Sequence, residues 1–192
     1  GLAASDLRDW AGDTPLVNGE LVDENGLWLR YTRGSLPDAG AWTHQYADAG
    51  NTTCGSDRRI RAPLGILWYG RPGPRTMAER HRKAGAPLAM DGRIIVQGEG
   101  PGTRVGFGGD DVVQAYDAYN GTKLWERNIE GALQTHLERN PGNVALTSES
   151  FFVAGAKGTC HRLDPASGET LSTYEVPAED TESTPDWRYV AT

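Results

Sequence analysis

The sequence is poor in the residues that metal centres, disulfide frameworks and membrane spans require. Its two cysteines, Cys54 and Cys160, allow one disulfide at most, and their positions leave open whether they pair. The four histidines have no second ligand at a zinc spacing, so nothing in the pattern indicates a metal site. No apolar run approaches the roughly 18 residues of a spanning helix, and we therefore expect no membrane insertion.

Positive charge is also scarce. Nineteen Lys and Arg residues stand against 26 Asp and Glu residues, which gives a formal net charge of -7. A nucleic-acid partner is therefore not expected. Hydrophobic residues make up 38% of the chain, enough for a folded core, and the 25 glycines and 11 prolines among 192 residues indicate many turns and short strands.

A repeat becomes visible when the chain is compared with itself. Three residues recur 47 positions later: Asp117, Gly121 and Leu124 as Asp164, Gly168 and Leu171. An upstream pair of segments, 88–98 and 145–155, repeats at an offset of 57, so the first unit carries an insertion of ten residues near 99–110. Each unit divides into four predicted strands: 86–90, 93–97, 112–117 and 123–129, then 143–147, 150–154, 159–163 and 170–176. Repeated four-stranded units of this length are typical of β-propeller blades.

The remaining segments are less regular. Residues 14–34 alternate apolar and polar side chains around Asn25-Gly26, which predicts a hairpin. Residues 64–69 and 187–192 also have strand character, the latter as the start of a third unit. The predicted organisation is as follows: 1–39 a preceding β segment, 40–85 lead-in strands and a long connection, 86–130 a blade, 131–177 a second blade and 178–192 the start of another.

One spacing carries a family resemblance. The pattern Ala-x-Asp-x-x-x-Gly-x-x-x-Trp, present at Ala115, Asp117, Gly121 and Trp125, resembles the tryptophan-docking repeat of quinoprotein alcohol dehydrogenase-like propellers, the PQQ-like repeat family. The second copy keeps Asp164 and Gly168 but lacks the tryptophan, which makes it a degenerate blade. Upstream, Trp42 and Trp68 lie in segments similar to the first strands of these propellers.

The resemblance implies an all-β fold, a β-propeller segment of four-stranded antiparallel blades. Two full units cannot close a ring of four to eight blades, so the ring is incomplete within this chain. The chain is similar in particular to large planctomycete-type PQQ-like repeat proteins, and this implies a periplasmic or cell-envelope location. The partners then expected are the remaining blades or other domains of the same protein, and possible protein ligands.

Two interpretations compete for the aromatic and acidic residues of the motif. Trp125 and Trp68 are either stacking platforms for a planar ligand or packing residues between blades, and the second is favoured because large aromatic rings suit such contacts. Asp117 and Asp164 are either catalytic carboxylates or turn residues, and the turn is again favoured. No catalytic residue is assigned.

The one basic cluster offers a possible contact for an anion or an acidic partner, since arginine binds carboxylate and phosphate; its residues are Arg75, Arg80, His81 and Arg82. A solvated run of charges is the favoured alternative.

The function favoured by these residues is a non-catalytic scaffold that binds protein or ligand within a larger envelope protein. The alternative is a fragment of a PQQ-dependent quinoprotein oxidoreductase whose redox site lies on other blades. In the family's redox enzymes the quinone stacks between a tryptophan and a disulfide of adjacent cysteines, beside a calcium ion. This sequence has no adjacent cysteine pair, so no cofactor is demonstrable, and PQQ with calcium belongs to the alternative alone.

Overall fold

The computed structural model describes residues 3–12, 19–31, 36–68, 85–99, 111–133, 142–177, 187 and 189–192. The chain divides into two units, residues 1–37 and residues 38–192.

The first unit contains a helix and a hairpin. Helix α1 spans Ala4–Gly12, and its first turn holds Asp6, whose carboxylate accepts a hydrogen bond from the backbone amide of Ala3 at 2.9 Å. An acidic residue here favours the helix, because the N-terminal end carries partial positive charge. Strands β1 (Gly19–Asp23) and β2 (Leu27–Tyr31) pair antiparallel, which confirms the predicted hairpin. The helix was not predicted, since residues 1–39 had been assigned to a β segment.

The hairpin turn follows from its sequence. Asn25 has a φ of 55° and Gly26 a φ of 134°. These are the left-handed conformations that asparagine and glycine adopt at least cost, and that two-residue hairpin turns demand.

The second unit contains two four-stranded antiparallel sheets in sequential order. Blade one consists of β3 (Leu88–Met90), β4 (Arg93–Glu99), β5 (Asp111–Asp117) and β6 (Lys123–Asn128). Blade two consists of β7 (Val144–Leu146), β8 (Phe151–Ala154), β9 (Thr159–Leu163) and β10 (Thr170–Glu175). Every predicted blade strand is present, with its ends within two residues of the predicted positions. The pairing of β4 with β5 extends to Glu99 and Asp111, and the predicted insertion between them lies outside the described residues.

The main apolar core is shared by the two blades. It includes Val113 and Ala115 from blade one together with Val153 and Leu163 from blade two, all without measurable exposure. Because both sheets bury their side chains against each other, neither blade has a complete core of its own.

Two buried amides connect the blades with hydrogen bonds. The side chain of Gln97 donates to the carbonyl of Ala132 at 2.9 Å and to Oδ1 of Asn143 at 3.2 Å. The Asn143 side chain donates in turn to the carbonyls of Ala132, at 2.7 Å, and Ala154, at 3.0 Å. Buried polar groups satisfied in this way fix the position of one blade against the next.

One prediction for a single strand was wrong. Residues 64–68 form no strand, and Ile66 there is 84% exposed. Near the other end, Tyr189 forms an isolated parallel bridge with Gly142, while Val190 is buried against blade two. This segment therefore packs on the second blade, and its role as the start of a further blade stays a prediction.

The secondary structure can be checked in solution. Since the described residues hold ten strands and a 9-residue helix, we expect a far-UV circular dichroism spectrum dominated by β structure. A helical fraction above about a quarter, close to the average for mixed domains, would contradict the fold.

Candidate functional site: the tryptophan docking points

Each aspartate of the repeat closes a turn at the end of a strand. Oδ1 of Asp117 accepts hydrogen bonds from the amides of Tyr119, at 2.8 Å, and Asn120, at 3.1 Å. The backbone carbonyl of Asp117 accepts from the amide of Gly121 at 2.9 Å. The carboxylate thus satisfies amides that the turn leaves free, and this is the structural role predicted for it.

The turn of blade two has the same bonds. Oδ1 of Asp164 accepts from the amides of Ala166, at 2.6 Å, and Ser167, at 3.4 Å. Gly168 has a φ of 74°, the same value as Gly121 in the first turn. The repeat seen in the sequence is therefore a repeat of one turn geometry.

Trp125 of blade one docks on the turn of blade two. Its indole Nε1 donates to the carbonyl of Pro165 at 3.0 Å, and its ring lies against Gly168. A Cβ atom at position 168 would come within 2.7 Å of Cδ2 of the indole, so only glycine leaves room for the ring. Ala115, which pairs opposite Trp125, is fully buried beneath it.

Trp68 docks on blade one in the same manner. Its Nε1 donates to the carbonyl of Ala118 at 2.9 Å, and a Cβ atom at Gly121 would lie 2.5 Å from Cε3 of its ring. The acceptors Ala118 and Pro165 are 47 positions apart, as are the two glycines. The sequence had singled out Trp68 without identifying the turn that receives it.

Trp42 contributes to the blades through its backbone as well as its ring. Its amide donates to the carbonyl of Ala89 at 2.8 Å, and the Ala89 amide donates back at 2.9 Å. The next carbonyl, that of Thr43, accepts from the amide of Leu146 at 2.9 Å. The segment thus bonds to the first strands of both blades, while the partly buried Trp42 ring packs on the shared core.

His44 is a buried titratable side chain of this lead-in segment, and its sequence context indicates no role for it. It is 3% exposed, its Nδ1 lies 2.8 Å from Oγ1 of Thr43, and its Nε2 is buried without a hydrogen-bond partner among the described residues. Burial lowers the pKa of His44, an effect that the negative charge of Asp48 partly opposes. Asp48 itself is held ionised, because hydrogen bonds from Thr52 lower its pKa.

The basic cluster and the two cysteines do not take part in the docking contacts among the described residues. Arg75, Arg80, His81 and Arg82, the proposed anion contact, lie outside the described residues. The thiols of Cys54, which is exposed, and Cys160, which is buried, are both free. Burial raises the pKa of Cys160 to about 11, so this thiol is protonated at neutral pH.

The aromatic and acidic side chains of the motif are engaged in docking and turn contacts. The indoles of Trp68 and Trp125 have a face against glycine and their N–H groups bonded to carbonyls. Asp117 and Asp164 accept turn amides. Within the described ranges, no three His, Cys, Asp or Glu side chains come together as ion ligands. Nor does any helix there have the length and apolarity to cross a bilayer.

Two four-stranded antiparallel sheets joined through the docked Trp125 define a β-propeller segment. A family model described as outer membrane protein assembly factor BamB matches residues 75–192. This match covers more than half of the chain, which therefore belongs to the family of PQQ-like β-propeller repeat proteins. Among curated proteins, no sequence matches the chain significantly.

Several solved structures resemble the chain at low sequence identity. Quinohemoprotein alcohol dehydrogenase ADHIIG from Pseudomonas putida HK5 is 16% identical with a TM-score of 0.46, over 73% of this chain and 20% of its own. A europium-containing methanol dehydrogenase is 14% identical with a TM-score of 0.41, over 71% of this chain and 23% of its own. BamB from Moraxella catarrhalis is 13% identical with a TM-score of 0.30, over 88% of this chain and 54% of its own. The chain spans less than two thirds of each of these proteins.

Removal of the docked ring tests its structural role. We expect Trp125→Ala to lower the free energy of unfolding by about 3–5 kcal/mol, the usual loss when a core aromatic is truncated. Thermal melts measure the change, with Trp10→Ala as control because Trp10 is 66% exposed. An unchanged melting temperature together with loss of a bound ligand would show that Trp125 is a stacking platform.

Acid should destabilise the protein through His44. Because the pKa of His44 is lower in the folded state than its ordinary 6.5, the unfolded chain binds more protons below that pH. Stability is therefore complete above about pH 6.5 and falls as the pH drops toward the folded pKa. His161 contributes with the same sign, since burial and the charge of Arg127 lower its pKa.

Urea unfolding between pH 5 and 8 measures this dependence. We expect His44→Asn to reduce the slope of stability against pH, and the double variant with His161→Asn to reduce it further. If the slope of the double variant equals that of the unaltered chain, the acid sensitivity comes from other groups.

Proposed function

We propose that the chain is a non-catalytic segment of a PQQ-like β-propeller, and that it serves as a scaffold for protein or ligand binding in a larger cell-envelope protein. The observation that carries the proposal is the use of the motif residues in packing. Trp125 and Asp164, the residues best suited to hold a ligand or a proton, are both bonded to backbone groups: Trp125 donates to the turn of the neighbouring blade, and Asp164 accepts from the amides of its own turn. A side chain committed to such a contact is not available for chemistry on a substrate.

The surface supports a binding role. Apolar side chains on the outermost strands of both blades are partly exposed: Leu124 is 43% exposed on β6, and on β10 Leu171 is 49% and Tyr174 44% exposed. Exposed apolar and aromatic groups on a rigid sheet are common features of protein-binding surfaces. We propose further blades, other domains of the same protein or a separate protein as partners, with Arg75, Arg80, His81 and Arg82 as an additional contact for acidic groups.

The location proposed with this role is the periplasm or cell envelope. It rests on membership of a family whose model is described as an outer membrane protein assembly factor.

Titration with PQQ in the presence of Ca²⁺ tests the non-catalytic role. We expect the quinone absorption spectrum to stay unchanged on addition of the chain, and no alcohol-dependent reduction of an acceptor dye. Saturable quinone binding with dye-linked alcohol oxidation would overturn the proposal in favour of a quinoprotein oxidoreductase. Trp125→Phe serves as control, because it keeps an aromatic ring at the docking point and removes the bond to Pro165.

A further inference from the structure

Two apolar contacts fix the position of strand β6 of blade one on the sheet of blade two. Trp125 seats on Gly168, and Ile129 lies against Gly155, where a Cβ atom would come within 3.3 Å of its Cγ2. Arg127 lies between these two residues on the same face of β6, because side chains alternate along a strand. Its side chain therefore enters the groove between the two blades.

Arg127 bonds to blade two with part of its guanidinium. Nη1 donates to the carbonyl of Gly168, and Nη2 donates to Oγ1 of Thr170 at 3.3 Å. An arginine side chain has five N–H donors in all. Within the described part of the chain, no carboxylate forms an ion pair with this one. The positive charge of the half-buried Arg127 is thus held in place by neutral acceptors alone.

His161 lies on the face of blade two that is turned to the same groove. On the neighbouring strands it is paired with Val153 of β8 and Thr173 of β10, and its Nδ1 lies 3.4 Å from Oγ1 of Thr173. Two positions further along β9, on the same face of the sheet, Leu163 belongs to the core shared with blade one. The half-buried imidazole therefore lies at the interface that Arg127 enters from the other blade.

The two groups act on each other without a counter-ion between them. Burial and the positive charge of Arg127 both lower the pKa of His161. The other charges near this face are Glu175 at the end of β10 and the exposed pair of Lys157 with Glu130, whose charged atoms are 3.4 Å apart. Among the described residues, neither carboxylate forms an ion pair with Arg127 or His161. The local charge of the groove is therefore positive.

We propose that this groove binds an oxyanion, the phosphate or carboxylate group of a ligand. The guanidinium of Arg127 donates to its oxygens through N–H groups that are not bonded to blade two, and the imidazole of His161 supplies a further N–H. The hydroxyl-bearing Thr170 and Thr173, both exposed, border the opening. The site is distinct from the basic cluster at 75–82, and it does not depend on the scaffold role.

Proton binding to His161 and anion binding are linked. The imidazolium adds a second positive charge to the groove, so the protonated form should bind the anion about tenfold more tightly. By reciprocity, a saturating anion must then raise the pKa of His161 by about one unit. A side chain with a merely structural role would show no such dependence on the anion.

NMR titration of the histidine imidazole resonances in the 192-residue chain tests the site. Sulfate, which keeps its charge between about pH 5 and 8, represents a phosphate group, and acetate represents a carboxylate side chain. Both are added at constant ionic strength against chloride. We expect a saturable rise in the pKa of His161 with at least one of them, and the anion that acts identifies the source of the oxyanion. The pKa of His44, outside the groove, should not change.

Two variants of Arg127 and one matched control locate the binding. Arg127→Gln removes the fork and its charge, so anion affinity should fall by about tenfold or more. Arg127→Lys keeps the charge without the planar fork, should bind several-fold more weakly, and gives the same test if the glutamine variant does not fold. Arg162→Gln removes an equal charge from the other face of β9, where Nε of Arg162 donates to Oγ of Ser150 at 2.8 Å. This control should bind as the unaltered chain does.

Four results overturn the inference: no saturable effect of either anion on His161, an equal effect on His44, unchanged affinity in both Arg127 variants, or an equal loss in Arg162→Gln. The last result would show a general effect of net charge. Because the samples contain no quinone and no protein partner, each of these results leaves the outcome of the PQQ titration unaffected.

Discussion

The seating of a tryptophan ring on a glycine is the contact on which the arrangement of the two blades depends. The indole of Trp125 reaches the carbonyl of Pro165 because the chain at Gly168 has no side chain and a positive φ. The turn that presents both groups is held by Asp164, whose carboxylate accepts two of its amides. Tryptophan, glycine and aspartate are therefore parts of one interface contributed by two neighbouring repeats.

This contact joins each repeat only to its neighbour. The position of each blade is therefore set by the interface with the blade next to it. Trp68 seats on blade one and Trp125 on blade two, but the next tryptophan is absent. Its place on β10 is taken by Ser172, whose hydroxyl is buried without a hydrogen-bond partner among the described residues. The far face of blade two is covered differently, by Trp187, whose Nε1 donates to the carbonyl of Gly158 at 2.8 Å, and by Val190.

The features that the sequence predicted are those produced by short-range rules. Strand alternation and the turn chemistry around Gly121 and Gly168 located the blade strands to within one or two residues, since both depend on residues close in the chain. A packing role for Trp125 is expected from the resemblance, and its indole N–H donates to the carbonyl of Pro165 in the neighbouring blade. Whether the domain boundaries and the basic cluster are as expected stays a prediction.

The features that the sequence did not predict depend on residues far apart. Nothing local shows that Gln97 and Asn143, 46 positions apart, meet at one carbonyl, or that His44 lies buried between blade-forming segments. Helix α1 is too short to display a clear periodicity. Residues 64–68 have strand-forming side chains, but a strand needs a partner, and the local pattern does not record where the partner lies.

The docking residues and the residues of the outer strands differ in what they indicate about function. Trp68 docks on the turn of blade one, and Asp117 holds that turn. Both residues are needed to keep the repeats together, whatever the protein binds. Residues on the outer strands are not constrained in this way: Leu124 and Tyr174 are exposed, and polar side chains would serve equally well at their positions in an isolated sheet. The outer strands are therefore the part of the two blades whose sequence the docking contacts leave free to vary, and the proposed partner would bind there.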